Sequence, residues 1–339
     1  MGVTWEARLK VKISVDDEGK WTDEHKDLLK PFARLRVEIM VGKPPLIPLI
    51  DGPIVSHDIA MSSEPGDSYL NIIVQDDSVY LNQDDIITIH ENLSPQQIAQ
   101  LCFDSTGGRI ASTCIEQGIT QTAEVTMQRS TSMQLLQELG KRQNMHVFIL
   151  PGSEPGMSIG CFHSLPKGTE KKILPCTAPV PNEGDFAPLI LLGPSRNLKI
   201  FSASNNSQSP AQVKAASLDP TTKTAVEKIS DPDQEDLSYI AKGAGRNQDL
   251  PTRLLPAYHI GALQESEAVS AMTEKLSYGI DVSGSVFTDI YPNVIQPYRV
   301  VQVVGVSPEY CGLYLISEVT HQINKSGYSQ SFKLKGVAS

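Results

Sequence analysis

Gly156-Met157-Ser158-Ile159-Gly160 has the Gly-x-Ser-x-Gly spacing of a hydrolase nucleophile. In that chemistry a sharp strand-to-helix turn lifts the serine towards a histidine and an acid. Here Pro151-Gly152-Ser153-Glu154-Pro155 precedes the motif and Cys161-Phe162-His163-Ser164-Leu165-Pro166 follows it. Neither flank reads as a long buried strand or a helix, so a glycine-rich β-turn is the better reading. The rival from a different class is a serine hydrolase built on Ser158, with His163 or His259 as its base. The seven histidines (His25, His57, His90, His146, His163, His259 and His321) show no metal-ligand spacing, among themselves or with cysteine. No metal and no cofactor is expected. His321 falls in strict strand alternation and should lie near Tyr328 or Gln330 on a sheet face, in a structural role. Asp231, Asp233, Glu235 and Asp236, with Glu227 upstream, lack the central glycine and distal glutamate of a calcium loop and read as a solvated acidic loop. Lys242-Gly243-Ala244-Gly245-Arg246 follows no apolar strand, and no Lys-Ser or Lys-Thr pair opens a helix after it, so it is not a phosphate loop. Basic residues are scattered and do not interleave with the 10 Tyr and 8 Phe as a base-stacking groove requires. The residues offer no credible active site, and a non-enzymatic role is expected.

The elements that would hold these residues are mostly strands. Ala33, Leu35, Val37, Ile39 and Val41 alternate with Arg34, Arg36, Glu38 and Met40, which puts one face in a core. Pro44, Pro45 and Pro48 stop that pattern, because proline cannot donate to a ladder. Further extended runs fall at residues 50–59, 69–75 and 86–90, with Glu64-Pro65-Gly66-Asp67 as a turn. Two helix starts carry capping signals: Ser94-Pro95-Gln96-Gln97, with Ile98, Leu101 and Cys102 as its buried stripe, and Thr131-Ser132-Met133-Gln134, with Leu135, Leu136 and Leu139 on one face. Gly140 and Asn144 suit the end of the second, and a strand follows at 145–150. Short strands are expected at 157–163, 189–192 and 198–201, and the polar stretch 202–210 is the best linker candidate. Residues 227–253 read as an exposed loop, and 265–276 as an amphipathic helix with Val269, Met272 and Leu276 inward. Near the end, 300–306 is a strand, Leu313, Leu315, Val319 and Ile323 share one strand face, Asn324-Lys325-Ser326-Gly327 turns, and 328–334 returns antiparallel.

The length of 339 residues exceeds one ordinary core and suggests two domains. Hydrophobic residues at 40% and charged residues at 20% allow a sizeable core, and 24 Gly with 23 Pro point to many turns. The formal charge of −10 argues against wrapping nucleic acid, which needs a basic face, but suits a channel wall to which nucleic acid does not stick. No apolar run is long enough to span a bilayer, and the charged start (Asp16, Asp17, Glu18) does not read as a secretory signal. Five cysteines, an odd number with no short spacing, argue against a disulfide framework and fit a reducing cytoplasm.

The order of these elements resembles the baseplate hub proteins of contractile phage tails (the late-control D family), whose fold recurs in the hub half of type VI secretion spike proteins and in related injection systems. Leu49-Ile50-Asp51-Gly52-Pro53-Ile54-Val55 and the strand at 69–76 are similar to the entry of the family's first barrel. Asp76-Asp77-Ser78-Val79-Tyr80-Leu81, the helix at 94–101 and Ser132-Met133-Gln134-Leu135-Leu136-Gln137-Glu138-Leu139 are similar to its next elements, and Met133 and Leu135 stand where the family often has aromatics. Most specific is Gly312-Leu313-Tyr314-Leu315-Ile316-Ser317-Glu318-Val319-Thr320-His321 leading to Gly327-Tyr328-Ser329-Gln330-Ser331-Phe332, which resembles the closing hairpin of hub proteins. The segment 202–291 is only loosely matched.

The resemblance implies a mainly β fold with a few short helices (α+β). It implies two β-barrel-like domains, assembled as a homotrimer into a pseudo-six-fold ring that adapts a six-fold tail tube to a three-fold spike. The expected domains are 1–90 plus 285–339, 91–201, and a linker with an accessory helical segment at 202–284. Implied partners are the central spike protein, the tail tube or a tube-initiator protein, the tape measure protein and baseplate wedge proteins. DNA would pass through the lumen without specific binding, and no direct membrane insertion is implied. The implied location is the tail baseplate of a virion assembled in the host cytoplasm, or else a phage-derived injection particle. Val37, Ile39, Tyr314, Ile316 and Phe332, chosen from strand alternation, are the expected subunit-interface residues. A tail-tube or tube-terminator protein is the alternative within this class, but such proteins are usually shorter and carry one barrel.

Overall fold

In the computed structural model, residues 4–14, 18–20, 27–42, 45–64, 66–117, 125–165, 186–206, 212–218, 225–230, 252–255 and 262–336 are described. The fold is mainly β, with curled half-barrel sheets and three helices among the described residues. The first four strands are β1 (Glu6–Lys12), β2 (Arg34–Ile39), β3 (Ile47–Ala60) and β4 (Tyr69–Gln75), and they form an antiparallel sheet in the order β1-β4-β3-β2. The 14-residue β3 pairs with β2 through its first half and with β4 through its second, with a register shift between Ile54 and Ser56. Such a bulge bends a strand and increases its twist. Leu70, Ile72 and Val74 of β4 point to one face at period two and pack with Ile50, Ile54 and Trp5.

The middle segment contains β5 (Ile86–Glu91), α1 (Pro95–Asp104), β6 (Ile110–Ile115), β7 (Val125–Ser130), α2 (Ser132–Gln143), β8 (His146–Leu150) and β9 (Ser158–His163). Both helices open with complete capping boxes, in which Ser94 and Thr131 accept from the backbone N–H of Gln97 and Gln134 and each glutamine side chain returns to the cap. Asn144 closes α2 in the left-handed region, its N–H donating to the Gly140 carbonyl. Ile98, Phe103, Leu136, Val147 and Phe162 bury the helices against the sheet β6-β9-β8. Leu101, expected inside, is exposed, and Ala99 and Phe103 take the buried stripe with Ile98 and Cys102.

The remaining elements are β10 (Leu189–Ile190), β11 (Leu198–Asn205), β12 (Gln212–Leu218), β13 (Ala225–Ser230), β14 (Thr252–Leu254), α3 (Ala262–Ser277), β15 (Ile280–Val286), β16 (Val300–Val304), β17 (Gly312–Asn324) and β18 (Gly327–Gly336). Six of them make one sheet in the order β10-β16-β17-β18-β15-β11. The closing hairpin pairs with β16 on one side and β15 on the other, within this one sheet. Ser202 to Asn205, expected in a linker, continue β11 and pair with residues 283 to 280 of β15. Val269, Met272 and Leu276 of α3 cover Val213 and Ala215 of the small sheet β13-β12-β14. Trp5, Phe148, Leu150, Cys161, Tyr298 and Leu315 form an apolar junction to which the first sheet, the middle segment and the six-stranded sheet all contribute.

Cys114 on β6 is disulfide-bonded, which corrects the expectation drawn from the odd count; pairing between distant parts of a chain needs no short spacing. Cys102, Cys161 and Cys311 carry free thiols. The acidic loop at 231–236 and the glycine-rich stretch at 242–246 lie outside the described residues, as do His25, His259 and Cys176. No helix among the described residues is long and apolar enough to cross a membrane.

Candidate functional site

The two arginines on the polar face of β2 are engaged by buried acids. Arg34 donates from Nε to Asp51 Oδ1 at 2.7 Å and, through Nη1 and Nη2, to both oxygens of Asp77 at 3.0 and 2.9 Å. Arg36 donates to Asp51 Oδ2 at 3.0 Å and to the Gly152 and Ser153 carbonyls at 3.0 and 3.2 Å. The Asp51 and Asp77 side chains are wholly buried, and Arg36 nearly so. Two guanidinium groups and two carboxylates therefore balance, and the forked geometry fixes how β2 and β3 meet the turn before β9. Next to this quartet, Asp76 accepts from the N–H of Trp5 at 2.7 Å and of Ser78 at 2.9 Å. Burial pushes its carboxyl up to about 6, against these donors, which favour the charged form.

Ser158 belongs to this quartet's surroundings. Its hydroxyl lies 3.2 Å from Arg34 Nη2, which donates to it, and the residue is fully buried at the start of β9. The chain continues as a strand, not as the helix a nucleophile turn requires. Gly156 takes φ +84°, Met157 N–H donates to the Glu154 carbonyl at 3.1 Å, and Gly156 N–H donates to Asp51 Oδ2 at 2.9 Å. The Gly-x-Ser-x-Gly spacing is that of a β-turn that supplies a donor to a buried acid. His163 is engaged elsewhere: its Nδ1 lies 3.0 Å from Glu116 Oε2 and 2.8 Å from the Ser164 carbonyl. The His163 contact, with donors from Ser164, holds the Glu116 carboxyl down at about 2, and the same carboxylate raises the His163 pKa. His321 Nδ1 sits 2.8 Å from the Tyr328 hydroxyl and pairs in register with Gln330, as its alternation predicts.

Of the five expected interface residues, three are interior. Tyr314, Ile316 and Phe332 are 0%, 0% and 3% exposed within the core of the six-stranded sheet, packed by Val282, Val301 and Leu334. They pack against the chain's own segments at 186–198 and 291–295. Val37 and Ile39 are half-buried on β2, an edge strand.

The exposed apolar surface lies instead on the two-stranded ribbon β5–β7. Ile87 is 81% exposed, and Ile89, Val125 and Met127 are each more than half exposed on the same face. The opposite face turns inward, where Gln128 is buried and bonds His90 Nε2 at 3.0 Å. A two-stranded ribbon is marginal by itself, and an exposed apolar patch flanked by charges, here Arg129 opposite Ile87 and Glu91 opposite Val125, is a surface that pairs. The extended run at β5 was available in the sequence, but β7 and its pairing with β5 were not.

No protein-family model and no curated protein sequence matches the chain. Solved structures do. The 43 kDa tail protein of prophage MuSo2 from Shewanella oneidensis superposes with TM-score 0.61 at 12% identity, over 98% of this chain and 90% of that one. A tail protein from Neisseria meningitidis superposes with TM-score 0.57 at 11% identity, over 97% and 96%. An Escherichia coli component of the type VI secretion system, itself structurally similar to T4 bacteriophage tail proteins, superposes with TM-score 0.55 at 9% identity, over 98% of this chain and 73% of that one. The chain has the fold of these phage tail and type VI secretion proteins.

Proposed function

We propose that the chain is a structural baseplate hub of a contractile tail or of a phage-derived injection device. It would act as a homotrimer whose ring adapts a six-fold tube to a three-fold spike and lines part of a conduit for DNA or a passing protein. The observation that carries this reading is the superposition with two tail proteins over nearly the whole of both chains. The burial of Ser158 against Arg34, away from His163, weighs against the hydrolase reading. The apolar face of Ile87, Ile89, Val125 and Met127 supplies the kind of surface that an obligate assembly covers, and the open edge at β2, with Val37 and Ile39, is a second place for a neighbouring subunit. Partners beyond the trimer would be the spike on one side and the tube or its initiator on the other. The formal charge of −10 suits a lumen that repels nucleic acid.

Electron microscopy of the purified chain tests this directly. Ring-shaped class averages with three-fold symmetry and a central lumen are expected. Compact monomers without a lumen, both alone and with a candidate spike protein, would refute the hub role.

A further inference from the structure

Arg299 precedes β16 and lies in the same alternation as Val301 and Val303, which point into the core of the six-stranded sheet. It is 5% exposed, and its Nε and Nη2 have no hydrogen-bond partner among the described residues. These two atoms are not an arbitrary pair. In a planar guanidinium Nε–H and one Nη–H point the same way, and this edge forms two parallel hydrogen bonds with a carboxylate or a phosphate. The face of the group is also occupied, since the guanidinium carbon lies 5.0 Å from the centroid of the Phe186 ring. A buried, unpartnered fork beside an aromatic ring is an arrangement in which arginine holds an oxyanion.

The backbone here is fixed in an uncommon state. Tyr298 adopts φ +63°, a left-handed conformation that a bulky residue rarely takes. Two hydrogen bonds hold it, Tyr298 N–H to the Ile316 carbonyl at 2.9 Å and Ile316 N–H to the Arg299 carbonyl at 2.8 Å, and its ring stacks on Phe148 at 4.2 Å between centroids. The conformation therefore aims the Arg299 side chain and is enforced from both sides. We propose that the Nε–Nη2 edge of Arg299, whose guanidinium carbon lies over the Phe186 ring, is a binding site for one oxyanion with two oxygens at the spacing of the fork. The shared chemistry is that of a carboxylate or a phosphate. Burial lowers the Arg299 pKa only to about 10, so the group stays a cation at neutral pH.

The test is the melting temperature of the full chain in increasing phosphate or acetate, at ionic strength held constant with chloride. The wild-type chain is expected to gain about 5 °C at an anion concentration 100-fold above its dissociation constant. Arg299→Met, which replaces an unpaired buried cation by an apolar chain of similar length, should fold and show no such gain. A stronger response to phosphate assigns the site to a phosphate-bearing ligand, and a stronger response to acetate to a side-chain carboxylate. An absent anion-specific gain in the wild type, or an equal gain in Arg299→Met, overturns the proposal. Should the variant not fold, the Arg299 Nε–H resonance of the wild-type chain decides: saturable movement with either anion supports the site, and an unmoved signal refutes it.

Discussion

The residues that tie the first sheet to the turn before β9 are charged and buried, and their worth lies in completeness. Removing Asp77 leaves Arg34 with Asp51 alone in a place largely closed to water. Breaking a buried pair in this way costs about 3–5 kcal/mol, and because Arg34 is 30% exposed on its side chain the lower end applies. Asp77→Ala should therefore unfold in urea at a clearly lower midpoint, and so should Arg36→Met, which removes a donor from buried Asp51 and from the Gly152 and Ser153 carbonyls. His163 and Glu116 give a pH signature with opposite arms. The stabilisation from Glu116, depressed from 4.5 to about 2, is present above 4.5 and lost as the pH falls through 2. That from His163, raised above 6.5, is present below 6.5 and lost as the pH rises through its folded value. Their joint contribution is thus greatest between about 4.5 and 6.5. In Glu116→Gln the His163 titration followed by NMR should fall back towards 6.5; an unchanged titration would mean the contact does not govern it. Asp51 signalled its role in sequence as an acid inside an apolar run, Leu49-Ile50-Asp51-Gly52-Pro53-Ile54. Arg34 and Arg36 did not, because alternation labels the polar face of a strand as solvated and says nothing of a later segment that covers it.

At the scale of elements, what local chemistry decides was legible and what long-range pairing decides was not. The capping boxes of α1 and α2, the left-handed Asn144 and the two-residue turn before Gly327 all follow from side chains within four positions of each other. Thr131 does more than cap: its hydroxyl accepts from Gln134 N–H and donates to Asn82 Oδ1 at 2.9 Å, tying α2 to the segment before β5. Thr131→Ala should therefore cost more than the ~1 kcal/mol of a cap alone, and more than Ser94→Ala, when the two melting curves are compared. Gly52 shows the opposite case. A Cβ there would stand 1.8 Å from the Gln75 carbonyl oxygen, so the glycine is required by the approach of β3 to the end of β4, which no local pattern reveals. The closing hairpin divides the same way: its turn and register are local and legible, whereas its neighbours β15 and β16 in the sheet are not.

For the whole molecule, the fold is that of tail and type VI secretion proteins, joined across its parts by the Trp5–Phe148–Tyr298 junction and the Arg34–Asp51–Arg36–Asp77 quartet. The closing hairpin phrase and the short capped helices carried the resemblance in sequence. Interface residues did not, because strand alternation separates two faces without saying which face the rest of the chain covers; Tyr314 and Ile316 went inside, and Ile87 and Met127 stayed out. The central claim is that this chain assembles through surfaces such as that ribbon. The most direct measurement is the solution mass by light scattering of the full chain and of the double variant Ile87→Lys, Met127→Lys, alone and with the spike. A mass near three times 37.0 kDa for the wild type, falling towards 37.0 kDa in a variant with unchanged melting temperature, is the predicted result. A wild-type monomer that stays a monomer with the spike present would contradict the account.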